Sequence, residues 1–263
     1  ESAKIINEEL TVDDSLFLYH DVCTNGIGYV DLMFKTDSIA PEQIPYLGLL
    51  KSVLGYVDTE NYTYGELFNE INANTGGINC GVEVFDRADS TEEFQAMFSV
   101  RGKALYTKMD FLFKMIGEIL NSSKLEDTKR LYEIVASVKS RAQVNLTGAG
   151  HSTAVLRAAA YSSPMAAFQD EMAGIGYYQF IEKLEKDFEQ RKEETVEELC
   201  KLMKKILRPE NFMISYTGER ESLETVQKLA GAVKAGLGTE PVEKSEEKLT
   251  CTKKNEGFKT SGQ

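Results

Sequence analysis

Three runs of sequence decide the fold: TNGIGYVDLMF (24–34), IPYLGLLKSVLG (44–55) and ENYTYGELFNEINANTGGI (60–78). In the first, Val30, Leu32 and Phe34 alternate with Tyr29, Asp31 and Met33. A period of two sends successive side chains to opposite faces of a strand. Both sets carry bulk, so this strand is expected to be central. Residues 15 to 36 are predicted to form two strands around Thr24-Asn25-Gly26, because Asn and Gly both accept the positive φ of a tight hairpin. The second run is apolar nearly all round, with Lys51 its only charge between Ile44 and Leu54. Such a helix is buried on all sides, and Pro41 suits its first turn. The third run predicts a helix over 64–73, started by Thr63 or Tyr64 and stopped by Thr75-Gly76-Gly77.

Further along, Ile78, Cys80, Val82 and Val84 alternate strictly, and so do Phe94, Ala96, Phe98 and Val100. Each set marks one face of a strand. The second half is mostly helical. Its clearest stripe is Val196, Leu199, Cys200, Met203, Ile206 and Leu207. Residues 150–185 form a broken helical stretch, interrupted at Pro164 and Gly174-Ile175-Gly176. Phe212, Ile214 and Tyr216 return to strand periodicity, and Leu223, Val226, Leu229 and Val233 to helix. Strands in antiparallel pairs with helices between them predict an α+β fold: an antiparallel-rich sheet with helices packed on one face. Residues 1–14 are expected to be a polar lead-in, 15–240 a single domain, and 241–263 a linker with the start of a truncated following domain.

The chain has 263 residues, enough for a sizeable core, and 42% of them are hydrophobic. Its net charge of −12 disfavours nucleic acid and anionic membranes, which need clustered Lys and Arg. No apolar run reaches the roughly 18 residues of a membrane span. The four cysteines lie far apart, without Cys-x-x-Cys, so neither a metal knuckle nor a disulfide framework is indicated. A soluble protein of a reducing compartment is expected, cytoplasmic if bacterial. The first residue is Glu, so the chain is expected to be a fragment or a processed product.

Few residues offer chemistry. The two histidines are His20, on a predicted strand, and His151, in Thr147-Gly-Ala-Gly-His-Ser-Thr153. That glycine-rich stretch lacks the Lys of a phosphate-binding loop. It reads as a helix break with Ser152 or Thr153 capping the next helix. Ser152 beside His151 supplies no acid–base–nucleophile set. Arg101-Gly102-Lys103 reads as a polar strand-to-helix turn, or as two cations able to meet a peptide carboxylate.

The order and spacing of TNGIGY, IPYL, NYTYGEL, VRGKAL and Gly150-His151 resemble the third of four related domains in insulinase-like (pitrilysin-type) zinc metallopeptidases, most closely the presequence-protease and falcilysin branch. The closing NEGFKTSGQ is similar to the start of the fourth domain. The resemblance implies a parent zinc metalloendopeptidase that degrades peptides inside a chamber closed by two halves. The catalytic helix of that family carries His-x-x-Glu-His. The matching positions here are Leu47 to Lys51, so Leu47, Leu50 and Lys51 stand where the family pattern puts metal-site residues. Leucine has no lone pair, and a lysine amine with a pKa near 10 is protonated. The resemblance therefore implies no catalytic residue, metal or cofactor in this chain. Zinc is expected in the catalytic domain of the full-length parent, and the chain alone is expected to be inactive. Its implied partners are the N-terminal catalytic half of the same polypeptide and peptide substrates, with neither nucleic acid nor membrane. The alternative is a stand-alone structural or binding module of the same fold, with no peptidase partner in cis. Lys51 itself either projects into a cavity or snorkels to the surface.

Overall fold

Six strands form one sheet in the order β1-β2-β6-β3-β5-β4 in a computed structural model that describes residues 6–259. The chain runs β1 (Ile6–Val12), β2 (Ser15–Asp21), β3 (Ile27–Lys35), α1 (Ile44–Val53), α2 (Tyr64–Asn74), β4 (Ile78–Arg87) and β5 (Ser90–Leu105). Then come α3 (Met109–Ser122), α4 (Thr128–Gly148), α5 (Gly150–Ala159), α6 (Pro164–Ala173), α7 (Ile175–Lys186), α8 (Phe188–Ile206), β6 (Phe212–Gly218) and α9 (Leu223–Ala235). The β2–β6 pair is parallel and the other four pairs are antiparallel. The expected α+β class holds.

β3 is central, as its two bulky faces predict. Leu32 lies opposite Val100 of β5 and Ile214 of β6. Phe34 lies opposite Phe98 and Phe212, its ring 5.3 Å from that of Phe212. Phe17, Tyr19, Val30, Leu32, Val100, Ile214 and Tyr216 all point into the core. Helices cover that face. On the other, Leu16, Tyr29, Arg101, Lys103 and Leu105 are exposed.

Two expectations about the first strands need correction. Residues 15 to 36 do not form a hairpin, because β6 sits between β2 and β3 and pairs with both. Asn25 and Gly26 do take positive φ, 54° and 82°, so the turn conformation follows from residue type. The pairing does not, since it depends on a strand nearly two hundred residues away. The polar lead-in holds β1 from Ile6 onward, joined to β2 by a true two-residue hairpin at Asp13-Asp14, with φ of 48° and 67°.

α1 is buried as expected, with Leu47, Leu49, Leu50 and Val53 all at 1% exposure or less. Gly48 lets α6 approach: a Cβ there would lie 2.4 Å from the Met172 carbonyl oxygen. α2 starts with a capping box. The Thr63 hydroxyl accepts from the Glu66 N–H, and the Glu66 carboxylate accepts from the Thr63 N–H. Arg101, Gly102 and Lys103 lie inside β5 rather than in a turn after it, because β5 is a 16-residue strand that continues to Leu105. After α9 the chain is extended without strand or helix. It runs along the body, where the Ser245 N–H donates to the Ser38 carbonyl and Glu256 meets Arg157. Residues 260–263 of the closing NEGFKTSGQ, and residues 1–5 of the lead-in, lie outside the described residues.

Candidate functional site

The last turn of α1 opens onto a cavity of about 590 Å³, bounded by α2, the start of β4 and α4. Leu47 and Leu50, at 0% and 1% exposure, are core residues and do not line it. Lys51 does, half-buried. Of its two readings, the cavity-facing one matches this placement. Burial lowers its pKa below the ordinary lysine value, and among the described residues no acidic group is paired with it.

α4 supplies the opposite wall. Arg130, Glu133, Ser137 and Arg141 line the cavity at helical spacing. Arg130 is fully engaged. It bridges Glu133 at 2.9 Å, donates to the Tyr56 carbonyl at 2.9 Å, and stacks over the Tyr64 ring at 3.8 Å. Arg141 has no ion-pair partner among the described residues. Apolar periodicity picks out the buried stripe of α4 (Leu131, Ile134, Val135 and Val138) and passes over the polar stripe beside it. The signal for that second stripe was Arg130 and Arg141 flanking Glu133 and Ser137 at helical spacing.

The helix-free face of the sheet carries a second set of polar groups. Arg101 bridges Asp31 at 2.8 Å and Glu83 at 3.1 Å. The second oxygen of Asp31 is buried without a hydrogen bond, and burial raises that carboxyl's pKa despite Arg101. Lys103 lies 5.9 Å from the centre of the Tyr29 ring. The two cations of Arg101-Gly-Lys103 thus already have partners within the sheet.

The remaining sequence candidates stay apart. His20 Nε2 lies 3.1 Å from Ser215 Oγ, and its Nδ1 lies 2.6 Å from Asn7 Oδ1. His151 is exposed on the first turn of α5. Ser152 and Thr153 are not caps: both hydroxyls donate to the Ala149 carbonyl at 3.0 Å. Only Ala149 separates α4 from α5, so Ser152 and Thr153 already sit inside the new helix.

A family profile for the region associated with M16 peptidases of subfamily C matches residues 1–184. The chain belongs to this family. The match bears out the resemblance to insulinase-like peptidases of the presequence-protease branch. Protein HypA of Clostridium perfringens is 34% identical over the whole chain, which spans 27% of that relative's length. The mitochondrial presequence protease of Yarrowia lipolytica is 29% identical over 64% of the chain and 17% of its own length. Presequence protease 1 of Arabidopsis thaliana, chloroplastic/mitochondrial, is 26% identical over 80% of the chain and 19% of its own length. The chain thus spans about a quarter or less of these curated relatives. Among solved structures, a peptidase M16 inactive domain from Pseudomonas fluorescens superposes with a TM-score of 0.60 at 15% identity, covering 92% of this chain and 53% of the other. At that identity the likeness concerns the fold.

Zinc does not fit the residues that this peptidase-associated chain places on α1. Two buried leucines offer no donor, and catalytic zinc needs three protein ligands and an open position. Among the described residues, no group of three His, Cys, Asp or Glu side chains could share a metal ion. No helix of the described residues is long and apolar enough to cross a membrane.

Proposed function

We propose that this chain is a non-catalytic domain of a zinc-dependent, peptide-degrading metallopeptidase. In this reading it walls part of the substrate chamber and docks on the catalytic half of the same polypeptide. The observation that carries the reading is α1. The chain is homologous to about a fifth of each presequence protease, yet its first helix holds Leu47, Leu50 and Lys51 at the positions of a zinc motif. The hydrophobic packing of a peptidase-family helix is retained without donors. The helix-free sheet face supports the wall role, because it presents charged and aromatic side chains instead of a second layer of helices. Zinc then belongs to the catalytic half, and no step of hydrolysis is assigned to residues here.

The test is metal analysis and peptide cleavage with the purified chain. The expected result is no stoichiometric zinc and no cleavage of an unstructured peptide, together with a His-x-x-Glu-His domain upstream in the same reading frame. One bound zinc per chain would overturn the reading. An open reading frame without such a domain would favour the stand-alone module instead.

A further inference from the structure

The cavity beside α1 has an unbalanced charge. Its wall holds three cations, Lys51, Arg130 and Arg141, and one anion, Glu133. Arg130 and Glu133 neutralise each other across 2.9 Å. Lys51 and Arg141 are left facing the cavity without acidic partners among the described residues. The chain's net charge is −12, so acidic side chains are not in short supply. A half-buried, unpaired ammonium is costly, and such charges are normally paired or replaced. Behind the cavity, Tyr177 is buried with its hydroxyl unpartnered, and the polar side chains acting on it are Ser52 and Arg141, both lining residues. The missing partner is therefore an anion that can also accept hydrogen bonds.

The rest of the wall narrows the class. Phe68, Ile71, Ile78 and Ile134 line the same space as the two cations. A phosphate would leave this apolar surface without use. A carboxylate next to an apolar side chain would satisfy both parts, with an Arg fork and a Lys point charge on the anion and the side chain against the isoleucines. We propose that this cavity binds the C-terminal carboxylate of a short peptide through Lys51 and Arg141, with the last side chain seated on the apolar wall. Lys51, Arg141 and the apolar lining define the anion site. The choice of a peptide as its source rests on the function proposed above.

Calorimetric titration of the chain with N-acetyl-Ala-Ala-Leu tests this, against the same peptide as its C-terminal amide and against inorganic phosphate. The free acid is expected to bind at least tenfold more tightly than the amide. Lys51→Met is expected to lose that tenfold, and Arg141→Gln several-fold, with amide binding unchanged. Arg101→Gln, on the far sheet face, is expected to bind like the parent chain. Circular dichroism confirms that each variant is folded, and either of the two cavity variants suffices for the comparison. Equal binding of acid and amide, or unchanged affinity in both cavity variants, would overturn the site while leaving the chamber-wall reading intact. Phosphate binding that depends on Lys51, with no peptide binding, would overturn the peptide assignment and weaken the peptidase reading with it.

Discussion

Glu219 gathers an unusual set of donors for a residue near the surface. Its carboxylate accepts from the backbone N–H groups of Thr24, Asn25 and Gly26 at 3.1, 3.2 and 3.3 Å, and from the Tyr106 hydroxyl. The Tyr106 hydrogen bond first, and then the turn N–H groups, pull its pKa down to about 2. This pins the end of β6 to the turn between β2 and β3, where a hairpin's own hydrogen bonds would otherwise have been. A carboxyl held below its unfolded value stabilises the native state fully above about pH 4.5 and loses that contribution as pH falls toward 2. Glu219→Gln is therefore expected to unfold with a weaker dependence on pH between 4.5 and 2, read from denaturant midpoints across that range. None of this was legible from the sequence. Positive φ at Asn25 and Gly26 is a property of those residues, whereas their acceptor lies 194 residues away from Asn25. Arg141 was hidden for a different reason. A charge on a helix reads as solvated until the facing element is known, and here that element is the end of α1.

At the scale of elements, α1 was the most legible part of the chain, because an apolar helix with one charge has no solvent face to offer. Its neighbours were less so. Gly48 looks like a weak point within the helix, since glycine costs about 1 kcal/mol there relative to alanine. The structure gives the compensation. Met172 of α6 and the Tyr177 ring of α7 press against the bare backbone, and a Cβ would meet them at 2.4 and 2.7 Å. Gly48→Ala is accordingly expected to destabilise the protein by about 1–3 kcal/mol, opposite in sign to the helix-propensity effect. Equilibrium unfolding in urea, with m unchanged, would show it. The cavity inherits its shape from this contact, because the depth at which α6 and α7 hold α1 fixes where Lys51 emerges. The β4–β5 hairpin was legible in its alternation, but its length was not. Gly102 and the flanking cations suggested a turn. In the sheet, Gly102 instead gives room to Leu112 of α3, whose Cδ1 would lie 2.7 Å from a Cβ.

Across the whole molecule, the segment after α9 closes over the helical side as a strap. Arg157, buried in α5, donates to Asp170 at 2.5 Å and to Glu256 at 2.7 Å, and Tyr161 also donates to Glu256 at 2.6 Å. Asp170 is itself held by the N–H groups of Ile175 and Gly176, so the anchor is rigid on the body side. Glu256→Gln is expected to release the strap without unfolding the body, seen as faster hydrogen exchange confined to residues 250–258. The composition of this stretch, charged and poor in core residues, predicted a linker. It did not predict docking, which hangs on a single carboxylate finding a buried arginine. The order of the sheet has a further consequence for how the protein is made. β6 begins at Phe212 and separates β2 from β3, while the family match ends at residue 184. A nascent chain carries both inner edges unpaired until Phe212 and the residues after it have left the ribosome. During that interval each edge is a template for another strand, and the central wedge is the last strand of the sheet to arrive.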